Sequence, residues 1–208
     1  MPVKPLRVAK SRLRGLPGWL RQELVVAMAA DTVAAAVSCP GVVAVYVVTD
    51  DHRAAEAVLS CGAVVVADEP DAGLNPALEH GGAVASLARP DCGVAALSAD
   101  LPALTGVELA AALTAAGAHR RAFVADARRT GTTLLAAASG VLLAPAYGEN
   151  SRRRHVASGA VELALDGCDG LRADVDTVED LAAVRRLRIG SRTRAVLARL
   201  ADEQIGAG

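Results

Sequence analysis

Aromatic residues make up only 2% of the 208-residue chain. A β-sandwich built on large side chains is therefore a poor fit; small apolar side chains suit closely packed layers of helix on sheet. Net charge is also nearly absent, at −1, so the whole molecule offers no field to draw nucleic acid. No uninterrupted apolar run approaches the length needed to cross a bilayer. Nothing like a signal peptide stands at the start, because Leu16-Pro17-Gly18 breaks the chain and Asp31 interrupts the next apolar segment. The cysteines Cys39, Cys61, Cys92 and Cys168 are widely spaced, with no C-x-x-C pair and no histidine at a zinc-ligand interval. They are expected as reduced, mostly buried thiols of a cytoplasmic protein. Internal repeats, low-complexity segments and interdomain linkers are missing too, so residues 1–208 read as one domain.

What is present is 52% apolar residues, most of them Ala and Val. Their periodicity alternates between helix and strand. Helices are expected over 19–37, 52–60, 76–88, 105–116, 151–158, 177–187 and 191–204. Strands are expected over 42–49, 63–67, 93–98, 121–126, 132–138, a short one near 161–165, and 171–176. Thr105 with Glu108 three residues on is a capping box. Such alternation predicts a three-layer α/β domain with a mostly parallel sheet, in which ligands sit beyond the carboxyl ends of the strands.

The charge is uneven: Lys4, Arg7, Lys10, Arg12, Arg14 and Arg21 stand before Glu23 with no acid among them. A basic loop entering a helix beside an α/β sheet suits a nucleoside triphosphate, through ammonium groups, a guanidinium fork and backbone N–H groups. A solvated basic arm explains the same run. Neither G-x-x-x-x-G-K-S/T nor G-x-G-x-x-G occurs. "LSADLPAL" ends an apolar strand on Asp100, and in "ADVD" Asp174 and Asp176 stand two apart, hence on one face of the expected strand. Three hard oxygen ligands of this kind suit Mg²⁺. Helix capping by Asp100 and Asp176 is the competing explanation. "RTGTT" places Thr130, Gly131 and Thr132 at a tight turn able to grip an anion. "YGENSRRRH" brings Gly148, Ser151 as a helix N-cap, three arginines and His155, the last a phosphate or packing contact rather than a general base.

In order, "PVKPLRVAKSRL", "LVVAMAADTV", "GLNPALEHG", "LSADLPAL", "FVADARRTGTTLL", "YGENSRRRHVASGAVEL" and "LRADVDTVEDL" resemble the 2-phospho-L-lactate/phosphoenolpyruvate guanylyltransferase family of coenzyme F-420 biosynthesis, from Pro2 to about Leu187. The resemblance implies a GT-A-like nucleotidyltransferase fold. It also implies a reaction in which GMP passes from GTP to phosphoenolpyruvate, or to 2-phospho-L-lactate, with release of pyrophosphate and hand-over to the next enzyme of the pathway. By the same resemblance Lys4, Lys10, Arg12 and Asn75 bind the nucleotide. Lys10, Arg12 and Asp100 carry catalysis, Asp100, Asp174 and Asp176 hold Mg²⁺, and Thr132, Gly148 and Ser151 bind the phospho-acid. The family carries a strand before the "PVK" motif, so the first strand is expected to be short or missing. Two other functions stay open. One is a molybdenum-cofactor-type nucleotidyltransferase, which opens on "LAGGxSxRMG" where this chain has "PVKPLRVAKSRL"; the other is a catalytically silent nucleotide-binding subunit.

Overall fold

The computed structural model describes residues 1–3, 13, 16–69 and 71–206. The basic loop carrying Lys4, Lys10 and Arg12 lies outside the described residues.

The centre of the molecule is helix α1 (Gly18–Val37). Its small side chains let neighbours approach from two sides. Val25, Ala29 and Val33 face one cluster, with Val47, Leu101, Val124 and Leu134. Leu20, Leu24 and Met28 face a second, with Val175, Leu181, Val196 and Leu197. Strands β1 (Tyr46–Val48) and β2 (Val64–Val66) pair in parallel, joined by α2 (His52–Leu59). Asp51 caps α2 by accepting the Arg53 and Ala54 amides. On the far edge of β1, Val48 N–H donates to Met1 O and Val3 N–H to Val48 O, both at 2.9 Å, so the start of the chain lies parallel to β1.

Helix α3 (Leu74–Ala88) leads to β3 (Val94–Leu97), α4 (Gly106–Ala116), β4 (Arg121–Ala125) and β5 (Thr132–Ala137). Then come α5 (Ser151–Ala157) and β6 (Val161–Glu162). The second sheet has the order β3-β5-β4-β6. β4 and β6 are parallel, while β5 runs antiparallel to both its neighbours. That reversal follows from the short 126–131 turn, which leaves no room for a crossover helix. The three layers are visible residue by residue. Leu97, Ala122, Val124 and Leu134 enter the α1 cluster, whereas their neighbours Ala96, Phe123, Ala125 and Leu135 enter a third cluster with Leu78, Leu143 and Tyr147. A sheet with apolar side chains on both faces must be covered on both.

β1 is shorter than the 42–49 expected. Residues 42–45 lie outside any strand, and Val43 is 64% exposed. They wall a cavity of about 510 Å³ between the two sheets, with β3 opposite.

The expected strand over 171–176 does not form. Asp169–Arg172 close a single helical turn, α6. Gly170 donates to Glu108 Oε1 at 2.7 Å and lies so near Ala103 O that a Cβ there would sit at 2.2 Å. The chain is thus pinned against α4 and runs on through 173–176 outside any strand. Alternation survives only as burial: Val175 is fully buried and Asp174 and Asp176 half-buried beside it.

Helices α7 (Val178–Val184) and α8 (Ser191–Gly206) close the second core. α8 docks on α1 of its own chain through buried Asp31, whose carboxylate accepts the Arg192 and Thr193 amides at 3.2 and 2.8 Å. Among the described residues no helix is long and apolar enough to cross a membrane.

Candidate functional site

Asp100 follows β3, and its backbone is held from two directions. Thr32 of α1 has one hydroxyl hydrogen, which faces Met28 O at 2.8 Å with Ala99 O also in reach at 3.3 Å, and its oxygen accepts the Leu101 amide at 3.1 Å. From the other side Val175 N–H donates to Asp100 O at 3.1 Å. This places the residue between Asp174 and Asp176 against Asp100, so the three aspartates share one end of β3. Neither capping explanation holds. The cap of α4 is Thr105, in the expected box with Glu108, and the cap of α7 is Thr177, in a second box with Asp180. Among the described residues no three His, Cys, Asp or Glu side chains are gathered as a ready-made metal set. Backbone adjacency alone brings the three carboxylates to one end of β3.

The second group of residues lies at the start of β5. Asp126 organises the 126–131 turn: its carboxylate accepts the Thr130 amide at 2.8 Å and the Thr130 hydroxyl at 3.3 Å. A Cβ on Gly131 would meet Asp126 Oδ2 at 2.6 Å, so any larger residue there would displace the carboxylate that holds the turn. Thr130, expected to face an anion, thus spends both donors within the turn. Thr132 comes next and is buried, as are Ser151 and His155. Ser151 Oγ donates to Thr132 Oγ1 at 3.3 Å, and His155 Nδ1 lies 2.9 Å from the same oxygen. The amide of Ala146 donates to His155 Nε2 at 2.9 Å. Burial first, then the charges of Arg121 and Arg154, pushes the His155 pKa down to about 4.

Ser151 was expected as the N-cap of α5. Asn150 takes that position in the left-handed conformation (φ 55°), with no side-chain cap, and Ser151 is the first helical residue. Its hydroxyl therefore turns inward to Thr132. Gly148 sits at φ 110°, which favours glycine, with Arg154 Nη2 3.1 Å from where a Cβ would stand.

The arginines of α5 are largely committed to structure. Arg152 Nε donates to Glu162 Oε2 at 2.9 Å, and Arg129 pairs with Glu162 Oε1 at 2.9 Å. The Arg152 hydrogen bond is the main influence holding the Glu162 carboxyl below its usual range. Arg154 donates to Tyr147 O at 2.9 Å. Asn75, at the N-terminal end of α3, donates to the same carbonyl at 3.1 Å and accepts the Tyr147 amide at 2.8 Å. Both ends of its amide thus hold the loop that leads into Gly148.

Sequence reasoning missed Thr32, which reads as one more small residue on an apolar helix, and Asp126, whose role depends on a turn closing back over it. The weight of His155 was also missed. Its signal was a lone histidine one turn into a helix behind a serine.

No protein-family profile matches the chain. Individual proteins do. The chain is 56% identical over 200 residues to a phosphoenolpyruvate guanylyltransferase of Thermomonospora curvata, covering 96% of this chain and 88% of that one. It is 57% identical over 201 residues to the protein of the same name from Streptomyces coelicolor, covering 96% and 95%. Among solved structures it superposes on a candidate nucleotide-diphospho-sugar transferase from Desulfovibrio desulfuricans with a TM-score of 0.64 at 16% identity, covering 95% of this chain and 92% of that one. A CMP:2-keto-3-deoxy-manno-octonic acid synthetase solved with CTP gives 0.54 at 17% identity, covering 89% and 96%. Both share the α/β fold that the alternation of helix and strand predicts, in the GT-A-like form that the motif resemblance implies.

Proposed function

The chain belongs to the phosphoenolpyruvate guanylyltransferase family, and from that premise we propose that it transfers GMP from GTP to phosphoenolpyruvate, as a step of coenzyme F-420 biosynthesis. A phosphate oxygen of phosphoenolpyruvate forms the new bond to the α-phosphorus of GTP. The bond from that phosphorus to the bridging oxygen of the β-phosphate breaks, and pyrophosphate leaves. A phosphate monoester is largely dianionic near neutral pH, its second pKa being about 6. The nucleophile therefore needs no general base, and the described site offers His155 only as a buried neutral ring. What remains is to bring two polyanions into line and offset their repulsion.

The division of the cleft is the one the family resemblance implies. Lys4, Lys10 and Arg12 grip the triphosphate, with Lys10 and Arg12 stabilising charge at the reacting phosphorus. Asp100, Asp174 and Asp176 hold Mg²⁺, which supplies charge neutralisation at the triphosphate when bound. Thr132, Gly148 and Ser151 receive the carboxylate and phosphate of the acceptor. Asn75, whose amide holds the Tyr147 loop through one N–H and one lone pair, has its second N–H and lone pair to offer the nucleotide. The product, an activated and labile diester of pyrophosphate, is handed to the next enzyme.

The observation that carries this reading is the Val175–Asp100 hydrogen bond, which joins two acidic segments of a chain more than half identical to named guanylyltransferases. The test is pyrophosphate release from GTP and Mg²⁺ with phosphoenolpyruvate, 2-phospho-L-lactate or 3-phospho-D-glycerate, coupled to the enzyme that consumes the product. Turnover with phosphoenolpyruvate supports the assignment. Turnover with another acceptor alone changes the substrate, and silence with all three favours a catalytically silent subunit.

A further inference from the structure

We propose that His155 is a positioning residue that makes the Thr132 hydroxyl an obligate hydrogen-bond donor toward the acceptor, so that the pocket selects an oxygen carrying only lone pairs. This rests on the acceptor subsite proposed above and adds to it a residue and a rule of selection.

The argument runs from hydrogen atoms. The Ala146 amide can only donate, and it points at His155 Nε2 over 2.9 Å. That nitrogen must therefore present its lone pair. A neutral imidazole with a bare Nε2 carries its proton on Nδ1. The depressed pKa keeps the ring neutral at physiological pH. Nδ1–H then donates to Thr132 Oγ1, 2.9 Å away. Ser151 Oγ donates to the same oxygen at 3.3 Å. A hydroxyl oxygen has two lone pairs, and both are now taken. Only the Thr132 hydrogen is left to bond, and it can be satisfied by an acceptor alone.

The ring cannot turn to reverse this polarity. His155 is fully buried, with Tyr147 edge-on at 5.3 Å and Phe123 tilted at 5.6 Å between ring centres. Tyr147 is itself fixed by its hydroxyl on Ala96 O (3.0 Å) and by Asn75 on its backbone. A flipped ring would set a carbon-bound hydrogen against the Ala146 N–H, and the other tautomer an N–H, so neither gives that amide its acceptor. A carboxylate or phosphate oxygen satisfies the Thr132 donor, whereas a hydroxyl or amine proton at that spot would face it donor to donor. Leaving a buried polar group unpaired is what gives hydrogen-bonding pockets their large discrimination.

Two variants separate the two ring nitrogens. In His155→Asn the side-chain amide stands near Nδ1 and can donate to Thr132; in His155→Gln it stands near Nε2 and can accept from Ala146 without reaching Thr132. Both lose ring packing, so melting curves and circular dichroism serve as the common folding control. Expected is a rise of roughly tenfold or more in KM for phosphoenolpyruvate in H155Q, a rise within about threefold in H155N, and an unchanged KM for GTP in both. Equal KM changes in the two variants, or a parallel rise in KM for GTP, would overturn the inference. Nitrogen-15 NMR of the wild-type histidines, with H155N assigning the signal, gives a readout without turnover. A protonated Nδ1 and bare Nε2 between pH 5.5 and 8 is expected, and the opposite tautomer overturns the inference even if the protein is active. An inactive wild type with the expected tautomer would instead remove the guanylyltransferase reading, and the acceptor rule with it.

Discussion

The hydroxyl of Thr32 accepts the amide of Leu101 across 3.1 Å, joining the middle of α1 to the turn directly after Asp100. The same hydroxyl donates toward Met28 O and Ala99 O. One buried side chain thus holds the backbone after Asp100 by accepting the Leu101 amide and shares its single hydrogen between Met28 O and the carbonyl before Asp100. Thr32→Val keeps the shape and removes the bonds, leaving the Leu101 amide without its partner. The expected cost is about 2 kcal/mol, read as a fall of roughly 5 °C in Tm for a domain of this size. Because Asp100 loses its anchor, kcat should drop between roughly 10- and 100-fold. Thr32→Ser retains the hydroxyl and should recover most of kcat. If Ser and Val behave alike, packing rather than hydrogen bonding holds this turn.

Asp100 itself can be tested more directly. Asp100→Asn keeps size and the backbone bond from Val175 but removes the charge. Pyrophosphate release should fall by at least roughly 100-fold, the scale of a lost metal ligand, while Tm changes by little. Wild-type activity should vanish on chelation and return with added Mg²⁺, and D100N should need more Mg²⁺ for any residual rate. An active D100N with unaltered Mg²⁺ dependence would take this residue out of the metal set.

How much of this was legible in the chain depends on where the information lies. Thr105 and Glu108 announced their helix correctly because a capping box is written in four consecutive residues. The same logic at Thr177 and Asp180 was obscured by Asp176, which looks like a cap and is not one. The 171–176 segment alternates like a strand, yet Gly170 is pressed onto Ala103 and the residues after it find no strand to pair with. Periodicity records which side chains are buried, here Val175, and not whether a neighbouring strand exists. His155 shows the other limit. Its position on a short helix is readable, but its two partners come from residue 146 and from β5, and no local pattern encodes that meeting.

The same histidine gives a pH prediction. Its pKa is about 4 in the folded protein, lowered by burial and then by Arg121 and Arg154, against about 6.5 in an unfolded chain. Between these values the unfolded chain binds the proton and the folded one does not. Stability from this group is therefore complete above pH 6.5, declines as the pH falls toward 4, and levels off below. The full difference is roughly 3 kcal/mol. Urea unfolding of wild type and His155→Asn at steps from pH 4 to 7.5 isolates it, since the other histidines and the carboxylates are common to both. The wild-type advantage should shrink with falling pH. A constant difference would mean that the buried ring takes up its proton no later than the unfolded chain does.

Two adjacent glycines in α3 offer a test of the wall between α3 and β1. Alanine is favoured over glycine inside a helix by about 1 kcal/mol, so sequence alone expects Gly81→Ala and Gly82→Ala to stabilise equally. The surroundings differ. A Cβ on Gly82 would meet Leu143 Cδ2 at 3.6 Å and Val94 Cγ1 at 3.9 Å, ordinary contacts. A Cβ on Gly81 would meet Val48 Cγ2 at 2.6 Å. Val48 is β-branched, 2% exposed and held in β1 by backbone bonds to both Met1 and Val3, so its methyl has few rotamers to escape into. Overpacking of this kind costs about 1–3 kcal/mol, which exceeds the helix gain. G82A should therefore raise Tm by roughly 2 °C and G81A lower it by a similar amount, with the double variant near neutral. Should G81A also stabilise, Val48 must have swung into the cavity of about 510 Å³ that both residues line, and the strand beside the site would be looser than its hydrogen bonds imply.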